Sequence, residues 1–257
     1  MMKNDLFSIG PFTIHGYGLM IALGILACIA LGMYRARKRN MSDEAVLDIA
    51  IFGVLFGFLG AKALYVIVEF PDFLKDPMSV LGSEGFVVYG GIITGVLAAM
   101  IYCRIKHLKF LEYFDLLAPS VALAQGFGRI GCFLAGCCYG RETNAFWGIT
   151  FPEGSLAPAG VKLIPTQLLS SAGDFLIMFL LLAYSKHNKK TGNVGFLYML
   201  LYGVGRFLLE FLRSDDRGAV GIFSTSQFIS IGIVLLALIL FFKDKLFSKK
   251  TDNTPEA

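Results

Sequence analysis

The chain has 257 residues, of which 56% are hydrophobic and 16% charged, with a formal net charge of +4. Soluble domains carry about 25% charged residues, so this composition and a mean hydropathy of +0.67 exclude an ordinary soluble domain and point to a bilayer. No basic stretch interleaved with aromatics suggests nucleic-acid binding. The cysteines, Cys28, Cys103, Cys132, Cys137 and Cys138, offer neither a CxxC pair for a metal nor the even count of a disulfide framework.

A spanning helix needs roughly 17–25 mostly apolar residues. In chain order, residues 14–34, 44–69, 86–103, 112–138, 164–184, 193–213 and 226–242 qualify. They predict an all-α, polytopic integral membrane protein of about seven transmembrane helices. No cleavage-site pattern opens the chain, so the first helix is expected to direct insertion itself. The fourth segment is the least regular, holding Asp115, Pro119, Gln125, Arg129 and a run of glycines. Residues 1–250 are expected to form a single transmembrane helical domain with loops at 70–85, 139–163 and 214–225, and 251–257 a disordered cytoplasmic tail. The first two loops mix Pro, Gly and aromatics, which suits short helices or loops lying at the interface.

Lysines and arginines orient the bundle. Arg35, Arg37, Lys38 and Arg39 follow the first segment; Arg104, Lys106 and Lys109 the third; Lys186, Lys189 and Lys190 the fifth; Lys243, Lys245, Lys249 and Lys250 the last. That side is expected to be cytoplasmic, which puts the N-terminus outside and the C-terminus inside.

Cations within spans are the next signal. A charge at the bilayer centre costs about 2.5–3.5 kcal/mol on insertion scales and so needs a partner or a role. Arg206 and Glu210 sit at i, i+4 on one helix face, where they either pair for packing or serve a site. Lys62 and Arg129 have no acidic neighbour at helical spacing in their own segments. With the expected orientation, Lys62, Arg129, Arg206, Tyr17 and Tyr89 converge on the outer half of the membrane. Arginine holds phosphate bidentately and keeps its charge when buried, so an anionic lipid headgroup is one reading; a cation held for folding reasons is the other. Gly90, Gly91 and the glycines from Gly126 to Gly140 fit close helix packing.

The run Gly128-Arg129-Ile130-Gly131-Cys132-Phe133-Leu134-Ala135-Gly136-Cys137-Cys138-Tyr139-Gly140-Arg141 resembles the signature of the prolipoprotein diacylglyceryl transferases. His15-Gly16-Tyr17-Gly18, Asp115 to Pro119, Pro165-Thr166-Gln167-Leu168 and Arg206 to Arg213 resemble further motifs of that family, in order, over nearly the whole chain. The resemblance implies an enzyme of the bacterial cell membrane. It would transfer diacylglyceryl from phosphatidylglycerol to the lipobox cysteine of a preprolipoprotein, amid membrane lipids and without metal or soluble cofactor. It implies catalytic roles for Tyr89, Arg206 and Glu210, and substrate contacts for Arg129, Tyr17, Lys62, Gly90, Cys132 and Gly140. Arg129 would bind the lipid phosphate, and Glu210 would orient Arg206. The sequence departs from the family where Tyr89 replaces a histidine, Cys132 an asparagine and Cys137 a glutamate, and where Ile164, Leu169 and Ser170 alter the fifth motif. Cys132, Cys137 and Cys138 are expected to pack as small hydrophobes. Two other readings are a diverged relative with another acceptor and a lipid-binding or transport protein without chemistry; the repeat symmetry of alternating-access transporters is absent from the sequence.

Overall fold

A computed structural model describes residues 5–9, 12–83, 85–188, 190–214 and 219–248. The chain opens with an antiparallel pair, β1 (Asp5–Ile9) and β2 (Phe12–His15), followed by helix α1 (Gly16–Lys38). Next come α2 (Asp43–Val68), the short α3 (Phe70–Lys75) and α4 (Pro77–Gly82), α5 (Val88–Ile105) and α6 (Phe110–Ala135). The pair β3 (Ile149–Thr150) and β4 (Lys162–Leu163) precedes α7 (Thr166–His187) and α8 (Asn193–Glu210). The pair β5 (Ala219–Val220) and β6 (Phe223–Ser224) leads into α9 (Thr225–Ser248).

The protein is a helical membrane protein. Among the described residues, α1, α2, α5, α6, α7 and α9 are long and apolar enough to cross a bilayer. The expected sixth span corresponds to α8, which is not one of these six; its Arg206, Glu210, Tyr198 and Tyr202 lower its apolar content. The fourth segment ends at Ala135 rather than 138, because Gly136 turns left-handed at φ +72°. The three short strand pairs are not foreshadowed in the sequence; they satisfy backbone groups ahead of α1 and in two of the connections between helices. Of the expected loop at 214–225, residues 215–218 lie outside the described residues, as does the expected tail 251–257.

The chain folds as two compact units, the first formed by Met1–Ala30 with Phe114–Ala257 and the second by Leu31–Tyr113. In the second unit α2 packs along α5. Their backbones meet at glycines: a Cβ on Gly91 would stand 2.8 Å from the Gly57 carbonyl oxygen, and one on Gly90 would strike that of Gly60. Such approaches supply the close packing that drives helix association in lipid. The Thr94 hydroxyl donates to the Phe56 carbonyl across this seam at 2.7 Å, and the Tyr102 hydroxyl donates to Asp48 at 2.6 Å.

In the first unit α7 carries a buried stripe through Gln167, Ser171, Asp174, Met178 and Leu181, the spacing of one helical face. Its C-terminal part joins Leu181 to Ala118 and Val194. Its other part is polar: the Ser171 hydroxyl donates to the Gly126 carbonyl at 2.9 Å, and Phe175 covers the space a Cβ on Gly126 would need.

Asp115 anchors α8. Its carboxylate accepts from the Gly192 N–H at 2.6 Å and the Gly195 N–H at 2.8 Å, at the helix N-terminus, which otherwise leaves donors unpaired. Asp115→Ala is expected to destabilise the protein by about 2 kcal/mol, as for buried donors stripped of a charged acceptor, and Asp115→Asn by less. Thermal unfolding in detergent checks this; an unchanged midpoint for the alanine variant would contradict it.

Candidate active site

The first unit brings Tyr17, Arg129, Cys132, Arg206 and Glu210 to one region, with side chains from α1, α6 and α8. The Gly-rich end of α6 makes this possible: a Cβ on Gly131 would meet the Tyr17 ring and carbonyl at 3.2–3.3 Å, so α1 and α6 approach closely there. Tyr17 lies within electrostatic range of Arg129 and of Cys132, Cys137 and Cys138.

Arg206 and Glu210 form the i, i+4 pair that the sequence spacing predicts. Arg206 Nη1 stands 2.7 Å from Glu210 Oε2, both side chains being about nine-tenths buried. The contact is an ion pair without hydrogen-bond alignment at that oxygen. Arg206 Nη2 also donates to the Ser226 hydroxyl at 2.9 Å, and the Ser224 hydroxyl donates to Glu210 Oε1 at 2.8 Å. Arg213 Nε approaches the same carboxylate at 4.0 Å. Glu210 therefore holds two arginines.

Arg129 is different. It is half-buried, and among the described residues it makes no hydrogen bond and has no carboxylate within ion-pairing distance. The surrounding groups with electrostatic reach are Tyr202, Cys132, Asp174 and Cys138. Tyr202 also reaches Arg206, so it lies within electrostatic range of both guanidiniums. Asp174 is buried with its Oδ2 unpartnered.

The segment after α6 is fixed by backbone crossing. The Gly140 N–H donates to the Ile164 carbonyl at 3.0 Å and the Arg141 N–H to the Leu212 carbonyl at 2.9 Å. A Cβ on Gly140 would lie 2.8 Å from both of those carbonyl oxygens, so the crossing requires glycine. Phe151, Ala157 and Leu163 form a small core beneath Phe133 and Tyr139.

Three thiols gather at this turn. The Cys137 N–H donates to the Cys132 carbonyl at 3.1 Å, and Cys138 takes a left-handed φ of +61°. Two buried side chains of α7 hold that geometry: Thr166 Oγ1 donates to the Cys138 carbonyl at 2.8 Å and Gln167 Nε2 to the Cys137 carbonyl at 2.7 Å. The Sγ atoms of Cys132, Cys137 and Cys138 then all lie within 4.8 Å of one another. They are grouped at this one turn.

Tyr89, Gly90 and Lys62 belong to the second unit. Lys62 Nζ donates to the Ser83 carbonyl at 2.7 Å, with the Ser83 hydroxyl and Gly85 carbonyl each at 3.3 Å, and lies 5.0 Å from the Tyr65 and Phe86 ring centroids. Its charge is thus held by its own loop. Tyr89 is half-buried at the start of α5, its hydroxyl without a hydrogen bond among the described residues, and Gly90 lies in the glycine seam.

Sequence reasoning quoted Arg213, Thr166 and Gln167 within motifs without giving them a role, and passed over Ser224, Ser226 and Tyr202. Arg213 was legible, three residues beyond Glu210 on the same face. Ser224 and Ser226 were not, because nothing in their local sequence points to a carboxylate or guanidinium.

Among the described residues, this unit is defined by an unpaired arginine in a membrane-crossing helix and a paired one within electrostatic reach of it, with Tyr202 reaching both and thiols reaching the first. That is the architecture of a polytopic membrane protein with a cationic interior site. A family model of prolipoprotein diacylglyceryl transferase matches residues 4–243. A Clostridium tetani protein named phosphatidylglycerol–prolipoprotein diacylglyceryl transferase is 47% identical over 95% of this chain and 98% of its own length. A second such protein, from Clostridium perfringens, is also 47% identical, over 97% of this chain and 98% of its own, and one from Finegoldia magna is 37% identical over 98% and 100%. The chain belongs to the prolipoprotein diacylglyceryl transferase family.

Two outcomes follow from the geometry. Glu210→Ala leaves Arg206 buried without its carboxylate and is expected to cost about 3–5 kcal/mol, whereas replacing Arg206 and Glu210 together by Met and Leu costs less; unfolding in detergent compares them, and equal losses would contradict the pairing. Cys138 lies beyond the end of α6, and hydrogen bonding with Cys132 and Cys137, followed by the nearby Arg213 guanidinium, holds its thiol below the usual thiol range. Its thiolate is therefore present at lower pH than that of an ordinary cysteine. Iodoacetamide labelling read by peptide mass spectrometry should give Cys138 a rate midpoint below about 8.5, rising in Arg213→Gln; a midpoint at or above that value would contradict it.

Proposed function

We propose that this chain is a phosphatidylglycerol–prolipoprotein diacylglyceryl transferase, an enzyme of the bacterial cell membrane acting in lipoprotein biosynthesis. Its substrates are phosphatidylglycerol and the lipobox cysteine of a preprolipoprotein. In the reaction the cysteine sulfur forms a thioether bond to the glycerol carbon of the diacylglyceryl group. The carbon–oxygen bond to phosphate breaks, glycerol phosphate leaves with that electron pair, and the thiol proton is released.

The observation that carries the site assignment is Arg129, a half-buried guanidinium with no carboxylate in ion-pairing range among the described residues. A phosphodiester supplies the missing counter-charge and matches the guanidinium fork. As the leaving phosphate gains its second negative charge, a preplaced cation in a low-dielectric site stabilises it without reorganisation. Arg206, already neutralised by Glu210, adds donors fixed in direction rather than free charge. Tyr17 and Cys132 line the headgroup pocket beside Arg129, and Gly140 sets the backbone that closes it. The resemblance also implies Tyr89 as proton acceptor and Lys62 and Gly90 as substrate contacts; these belong to the second unit, where the Ser83–Gly85 loop already takes the Lys62 donors. The site faces the outer half of the membrane, with seven spans, the N-terminus outside and the C-terminus cytoplasmic.

The test is transfer in detergent from phosphatidylglycerol to a lipobox peptide, read as the mass gained at the peptide cysteine. Removing one such charge-stabilising donor typically costs about 10²–10³ in rate, and Arg129→Ala is expected to lose at least that, with Arg129→Lys retaining more. A wild-type chain that adds no diacylglyceryl mass while a relative does so would overturn the reading.

A further inference from the structure

We propose that Cys132, Cys137 and Cys138 form a binding site for one thiophilic d10 cation, such as zinc or copper(I). Their sequence spacing is not a familiar metal motif; the fold brings them together. Cys132 comes from the last helical turn of α6, and the other two follow the left-handed Gly136.

Three features support the site. The Sγ atoms are mutually within 4.8 Å. A zinc–sulfur bond of about 2.3 Å places tetrahedral ligands roughly 3.8 Å apart, so the thiols need close by only about 1 Å. The geometry is held before any ion arrives: Cys138 keeps its left-handed backbone, an unfavourable conformation for a residue with a side chain, because buried Thr166 and Gln167 tie down the carbonyls of residues 138 and 137. The surroundings also match in charge. Three thiolates and a divalent ion carry a net charge of −1, and Arg129 and Arg213 stand within electrostatic range of Cys138 to offset it. An all-sulfur donor set selects soft cations over magnesium or calcium. Binding displaces the thiol protons to solvent and involves no redox change.

Cadmium(II) is the probe, added to the full-length, reduced chain in detergent without lipid or peptide acceptor. One cadmium per chain should be retained, with thiolate-to-cadmium charge-transfer absorption. Cadmium should protect Cys132, Cys137 and Cys138 from alkylation while leaving the labelling of Cys28 and Cys103 unchanged. Cys138→Ser should weaken retention at least tenfold. Should that variant fail to fold, the protection map of the unaltered chain decides alone. Absence of the absorption band, or protection spread over all five cysteines, would overturn the site. Because no substrate is present, either result leaves the transferase reading to its own assay.

Discussion

An arginine inside a bilayer is costly unless something answers its charge, and the first unit answers its arginines in two different ways. Arg206 is neutralised within the protein by Glu210, with Ser226 and Ser224 completing the hydrogen bonds. Arg129 has no carboxylate in pairing range among the described residues. Buried Asp174 reaches it electrostatically without pairing with it, which leaves the guanidinium open to an anionic ligand such as the lipid phosphate proposed above. The surrounding arrangement follows from keeping that cation in place. Glycines let α1 approach α6, Phe175 fills the space beside Gly126, and Asp115 fixes the start of the helix that brings Tyr202 and Arg206.

The second unit shows the same chemistry used for structure. Lys62 is a cation within a spanning helix, yet its donors are taken by the loop at Ser83 and Gly85, and its charge lies near two rings. The glycine seam between α2 and α5 provides close backbone packing. Buried charge alone therefore does not mark a substrate contact; whether the charge is already answered by the protein is the discriminating feature.

The helices were legible because hydrophobic runs of spanning length are a strong signal; most ends fall within about four residues of expectation, α9 runs on to Ser248 rather than 242, and α6 stops at Ala135 rather than 138. There the left-handed Gly136 ends α6 early, a consequence of backbone geometry that an apolar run cannot reveal. The Arg206–Glu210 pair was legible from helical spacing. The thiol cluster was not, because it depends on a left-handed Cys138 tied by residues nearly thirty positions away. The strand pairs were hidden for a similar reason: β3 and β4 have two residues each, too short for any alternation to register. Asp115 was visible as a charge in a span, but its partners are backbone N–H groups of another helix, which sequence spacing cannot identify.

The central claim is that Arg129 receives a phosphate from lipid. Native mass spectrometry of the detergent-purified chain, offered equal amounts of phosphatidylglycerol and neutral diacylglycerol without any acceptor peptide, tests it most directly. The unaltered chain is predicted to retain phosphatidylglycerol, Arg129→Ala to lose that preference, and both to retain diacylglycerol equally. Equal retention of phosphatidylglycerol by the two proteins, both folded, would contradict it.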